Sequence, residues 1–140
     1  MAKKVIDFCG GNVAGLTIGV LGLTFKPNTD DMRDAPSLDI VPALQKAGAK
    51  IVAFDPEGMG EAGKLMPGIT FTKTAYEAVT GADVLVVITE WHEFRGLDPR
   101  RIKELMHQPR IVDLRNIFNP EEMRGLGFIY EGVGRPGPRP

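Results

Sequence analysis

Three cations stand where a ligand could use them. Lys26 and Arg33 lie in a polar run over residues 23–34, and Arg115 closes a short apolar run over residues 110–115. Lysine is a compact point charge and arginine a planar fork of donors, so both suit phosphate oxygens. Phe25, beside Lys26, is either a core residue or a platform for a flat ring. Asp30, Asp31 and Asp34 surround Arg33, so the same loop also reads as a solvated turn that neutralises itself through internal ion pairs. The plainer reading of Arg115 is pairing with Asp113 or with a helix end. Trp91 reads first as packing.

Nucleophiles and metal ligands are few. Cys9, His92 and His107 are far apart and show none of the short paired spacings of zinc sites; they read as three unrelated residues, and no metal is expected. One cysteine excludes an internal disulfide and is what a reducing compartment permits. Gly19 and Gly22 are followed by no further glycine before the next helical segment, so the G-x-G-x-x-G turn that presses backbone against a pyrophosphate is missing. Asp55 ends the second apolar run, where an acid holds a ribose in dinucleotide folds. It lies 33 positions beyond Gly22, however, against the usual ~20. An ordinary, independent NAD site is not expected.

The elements that position these residues follow a simple rhythm. Short apolar runs at residues 17–23, 50–55, 83–90, 110–115 and 127–132, with a weaker one at 69–72, read as strands. Helical segments fill the gaps at 37–47 and 74–79, each closed by a glycine (Gly48, Gly81) suited to a left-handed cap. Asp98-Pro99 and Asn119-Pro120 open two more, with Asp98 and Asn119 as N-caps and proline at the first helical position. Pro42 conflicts with a helix interior, so that helix is expected to start near Asp39 or to bend. Residues 2–8 also read as helical. Buried strands alternating with short helices imply an α/β fold, a doubly wound, mostly parallel sheet of about six strands flanked by helices.

In such a sheet, ligands bind beyond the carboxyl ends of the strands. Lys26, Asp55, Glu90, Trp91 and Arg115 are therefore expected along one edge, where their unlike charges could form a polar ligand site. The 140 residues, 43% hydrophobic, carry 17 Lys and Arg against 18 Asp and Glu. That balance gives no electrostatic case for nucleic acid or an anionic membrane. No run approaches the roughly 18 apolar residues of a spanning helix, and no signal-peptide run opens the chain; a soluble, cytoplasmic single domain is expected. Six of the last nine residues are Gly or Pro, and residues 136–140 are expected to be a disordered tail.

The loop also carries a family resemblance. Val20-Leu-Gly-Leu-Thr-Phe-Lys-Pro-Asn-Thr-Asp-Asp-Met-Arg-Asp-Ala-Pro-Ser37 resembles the opening of the C-terminal domain of the UDP-glucose/GDP-mannose dehydrogenases. The likeness continues through Gly48-Ala-Lys-Ile-Val-Ala-Phe-Asp-Pro56, Ala82-Asp-Val-Leu-Val-Val-Ile-Thr-Glu-Trp91 and Asp113-Leu-Arg-Asn-Ile-Phe118, and closes at Gly132-Val-Gly-Arg135. It implies a Rossmann-like domain over residues 13–135 that grips the nucleotide end of a UDP-sugar. Residues 1–12 would be the end of the long helix linking it to an N-terminal NAD domain.

The resemblance further implies roles. Phe25, Lys26 and Arg115 look like substrate contacts, and Arg33 like the arginine that reaches across a cleft toward bound NAD. The whole enzyme is expected to be a homo-oligomer that oxidises UDP-glucose to UDP-glucuronate with two NAD through a cysteine thioester. The Gly-Gly-Ser-Cys-Phe-Pro-Lys-Asp type motif of that cysteine is absent, and Cys9 lacks its surroundings. No residue here is expected to be catalytic, and this chain is expected to be inactive by itself. The alternatives are a free-standing module that binds a uridine nucleotide without chemistry, a mainly structural domain of subunit contacts, and the same domain from a GDP-mannose or UDP-N-acetylmannosamine dehydrogenase.

Overall fold

The run at residues 83–90 supplies the middle of the sheet. In the computed structural model, which describes residues 2–24, 31–32 and 35–132, strand β4 (Val84–Val87) is buried on both faces. Val84 and Val86 enter one hydrophobic cluster and Leu85 and Val87 the other. That period-two split is what a central strand covered on both sides requires.

Five more strands surround it: β1 (Thr17–Leu21), β2 (Lys50–Phe54), β3 (Thr70–Phe71), β5 (Arg110–Asp113) and β6 (Ile129–Gly132). The sheet order is β3-β2-β1-β4-β5-β6, and every pairing is parallel. The order reverses between β1 and β4, so the switch point lies there. The register sets Leu21 beside Phe54 and Val87, and Val87 beside Asp113. The loops leaving β1, β2, β4 and β5 therefore emerge along one edge.

Helices cover both faces. Helices α1 (Ala2–Phe8), α2 (Ser37–Lys46) and α3 (Met59–Leu65) bury Val5, Ile40, Val41, Leu44 and Ala62 on one side. On the other lie α4 (Ala75–Val79), α5 (His92–Arg95), α6 (Pro99–Leu105) and α7 (Pro120–Gly125), which bring in Ala78, Phe94, Ile102 and Met123. Gly19 lets α4 sit close: a Cβ there would lie 2.7 Å from the Ala78 carbonyl oxygen.

The local signals act as their chemistry demands. The Asp98 side chain accepts from Arg100 N–H, and that of Asn119 from Glu122 N–H, each with proline at the helix start. Gly48 and Gly81 take positive φ. Helix α2 begins at Ser37, as the 37–47 segment implies, rather than near Asp39, and carries Pro42 inside. Burial of Ser37, Ile40, Val41 and Leu44 along one face outweighs the missing N–H. Helix α3 has no sequence counterpart above, since Gly58, Gly60 and Gly63 erase its helical signal. The expected tail at residues 136–140 lies outside the described residues.

Candidate functional site

The carboxyl edge is built on two buried aspartates. Asp55 follows β2 and is fully buried. Its Oδ2 accepts from the N–H groups of Leu23 at 2.7 Å and Thr24 at 3.2 Å, and from the Trp91 indole at 3.2 Å. Its Oδ1 accepts from the N–H groups of Glu57 at 2.9 Å and Gly58 at 2.7 Å. A buried carboxylate needs such a set of donors to offset its lost hydration. One acid thus fixes the turns after β1 and β2 and reaches the segment after β4.

Further bonds fasten the root of the β1 loop. The Thr89 hydroxyl donates to the Thr24 carbonyl at 2.6 Å, and the Ser37 hydroxyl to the Leu23 carbonyl at 2.5 Å. Gly22 has φ +92, and a Cβ there would stand 2.5 Å from that of Thr89. Only glycine allows this approach. The close contact that a dinucleotide turn reserves for a pyrophosphate is thus made to Thr89, and the carboxylate that would hold a ribose is turned inward. The described residues do not fit an ordinary NAD site, for reasons beyond the missing glycines.

Asp113 is the second anchor, at the end of β5 and fully buried. It accepts from Arg115 N–H at 3.1 Å, Phe118 N–H at 2.9 Å and the Tyr130 hydroxyl at 2.7 Å. Asn116, at φ +56, reverses the chain. This turn sends Arg115 out at the edge. Its Nε and Nη2 both lie 2.5 Å from Oε2 of Glu90. The side chains stay 41% and 26% exposed respectively, so the pair is open to a ligand. Asp113 therefore holds the backbone of Arg115, while Glu90 holds its guanidinium.

The opposite, amino edge carries the remaining titratable cluster. Asp83 accepts from Thr17 N–H at 2.8 Å and stands 2.6 Å from Nδ1 of His107, while Arg110 Nε donates to the Asp83 carbonyl at 3.0 Å. Burial works to raise the Asp83 pKa, but the His107 hydrogen bond, the Thr17 N–H and the His107 charge together hold it below its ordinary value. Burial pushes the Cys9 thiol up, against a smaller opposing pull from Arg110. A raised thiol is the reverse of an activated nucleophile. His92 is exposed at the start of α5, on the carboxyl side. The described residues hold no group of three His, Cys, Asp or Glu arranged for a metal ion.

Asp55, Glu90, Trp91 and Arg115 thus share one edge as the sheet rule predicts. Trp91 packs, at 7% exposure, and also donates to Asp55. Phe25, Lys26 and Arg33 lie outside the described residues. The grip of Glu90 on Arg115 was not singled out from sequence, and Asp113, read there as the pairing partner of Arg115, holds its backbone N–H instead of its guanidinium. Strand order is what joins Glu90 to Arg115, whereas Asp113 was in view through the Asp-x-Arg spacing.

A family model described as the UDP binding domain of the UDP-glucose/GDP-mannose dehydrogenase family matches residues 19–120. A UDP-glucose 6-dehydrogenase of Rhizobium meliloti is 54% identical over 136 residues, 97% of this chain and 31% of the relative. The UDP-glucose 6-dehydrogenase TuaD of Bacillus subtilis is 43% identical, over 92% of this chain and 28% of its own length. Among solved structures, a UDP-glucose dehydrogenase from Pyrobaculum islandicum superposes with a TM-score of 0.76 at 28% identity, over 94% of this chain and 28% of that one. An NDP-N-acetyl-D-galactosaminuronic acid dehydrogenase from Methanosarcina mazei gives 0.79 at 30% identity, over 94% and 27%. The chain therefore spans about three-tenths of the relatives it matches. Among the described residues no helix is long and apolar enough to cross a membrane.

Proposed function

Because the chain belongs to the UDP-glucose/GDP-mannose dehydrogenase family, we propose that it is the part of a UDP-glucose 6-dehydrogenase that grips the nucleotide sugar. The observation that carries this reading is the presentation of Arg115 at the carboxyl edge, inside the segment matched by the UDP binding model. Lys26 supplies a point charge to the phosphates, Phe25 a flat surface, and Arg115 a directed donor fork. The Asp55 network fixes Thr24, the residue before Phe25, and so sets where their loop begins.

The whole enzyme, a cytoplasmic homo-oligomer in this reading, oxidises UDP-glucose to UDP-glucuronate with two NAD. Its thioester-forming cysteine and its dinucleotide site come from sequence outside this chain. Arg33 contributes a cation toward NAD held by that other domain. What these residues do is bind and orient: they hold one end of the substrate so that the distant alcohol is fixed in the cleft.

Calorimetric titration of the chain with UDP-glucose, UDP and GDP tests the reading. UDP-glucose binding is expected to weaken about tenfold when Lys26 or Arg115 becomes Ala, the effect of losing one charge-assisted contact. Equal affinity for GDP and UDP would remove the uridine assignment, and binding insensitive to both substitutions would move the site elsewhere.

A further inference from the structure

The ion pair at the carboxyl edge has the wrong composition for a plain phosphate site. Oε2 of Glu90 takes both Nε and Nη2 of Arg115, so the two charges largely cancel. Among the described residues, Oε1 of Glu90 and Nη1 of Arg115 meet no other partner. The exposed surface of the pair is thus one acceptor beside donors. A bare diphosphate offers acceptors only, and a carboxylate beside it is repulsive. A hydroxyl both donates and accepts. Two neighbouring hydroxyls can give a hydrogen to Oε1 while taking one from the guanidinium.

The pair is also held ready. Both chain neighbours of Glu90 are tied down, Thr89 to the Thr24 carbonyl and Trp91 to Asp55. The backbone of Arg115 is tied to Asp113. Little ordering is left to pay on binding, which favours affinity from few contacts. We propose that Glu90 and Arg115 together read a diol of the nucleotide sugar, with Glu90 as the acceptor that tells hydroxyls from phosphate. This rests on the reading that a nucleotide sugar binds at this edge. The diol belongs either to the ribose or to the hexose, and the chemistry recognised is the same.

The test is titration of the chain and of its Glu90→Gln variant with UDP-glucose, UDP, 2′-deoxy-UDP and inorganic pyrophosphate. Glutamine can keep its amide oxygen on Arg115 and puts a neutral N–H where Oε1 was. UDP-glucose is expected to weaken about fivefold, while pyrophosphate binds the variant as well as or better than the native chain. If the ribose is the partner, UDP weakens in the variant and 2′-deoxy-UDP does not; if the hexose is, UDP binds both proteins alike. Arg115→Lys keeps the charge but loses the fork, and is expected to reduce UDP-glucose binding at least as much. UDP-glucose binding unchanged or tightened in Glu90→Gln overturns the proposal, as does equal weakening of UDP-glucose and pyrophosphate. In those cases the nucleotide-sugar site itself survives. Failure of the native chain to bind any of the four overturns both readings.

Discussion

The indole nitrogen of Trp91 donates to Oδ2 of Asp55 at 3.2 Å, so the one tryptophan of the chain ties the segment after β4 to the end of β2. The carboxylate it meets already accepts from four backbone N–H groups.

Asp55→Ala strands the buried N–H groups of Leu23, Thr24 and Gly58 and removes a partner of Glu57 and Trp91, and is expected to cost about 4 kcal/mol or more. Trp91→Phe keeps most of the packing and loses one bond to the charged group, for a cost of about 2 kcal/mol. Urea unfolding followed by far-UV circular dichroism measures both. A loss below about 1 kcal/mol for Asp55→Ala would show that the loops hold without it.

Gly22→Ala combines a positive φ with a clash against Thr89 and is expected to destabilise by about 3 kcal/mol. Gly60 makes the control. It lies in α3, a Cβ there meets nothing within 4 Å, and Gly60→Ala should stabilise by about 0.5–1 kcal/mol. Thermal unfolding of the two variants should move in opposite directions.

The contrast between these glycines shows what a sequence can disclose. Gly48 and Gly81 stand at helix ends and declare a cap, and Asp98-Pro99 and Asn119-Pro120 declare their helices through neighbouring residues alone. The apolar runs declare strands because a strand buried on both faces admits little else. Helix α3 was hidden because Gly60 and Gly63 lower its propensity and Gly58 precedes it. Glu90 and Arg115 were each visible at a strand end, but their pairing spans 25 positions and depends on β4 lying beside β5. Asp55 stood where a ribose acid would, at the wrong spacing for one, and only the fold reveals that its lone pairs face inward.

Asp83 gives the pH dependence. Its carboxyl is held below its ordinary 3.8 in the folded chain, so the stability it contributes is present above that value and is lost as pH falls through the lower folded one. His107→Ala removes the 2.6 Å partner and lets the folded pKa rise again. The variant is expected to lose a small part of its stability above the carboxylate range, small because His107 is mostly exposed, and its acid-unfolding midpoint is expected to move to higher pH. An unmoved midpoint, monitored by Trp91 emission between pH 2 and 5 (roughly the carboxylate range), would remove His107 as the cause.

The two buried aspartates of the carboxyl edge sit at matching places, each at the end of the middle strand of one half of the sheet, yet they are not equals. Asp113 draws its donors from Arg115, Phe118 and Tyr130, all within the half formed by β4, β5 and β6. Asp55 borrows Trp91 from that half to complete its own shell. Autonomy is therefore lopsided. The Asp113 anchor takes these three donors from its own half, whereas the first half completes the Asp55 shell only after its neighbour has assembled. Any loosening of the β4–β6 half is felt at Thr24, on the doorstep of the Phe25 and Lys26 loop, while the first half reaches Arg115 one step further on, through Glu90, whose neighbours Thr89 and Trp91 it ties down.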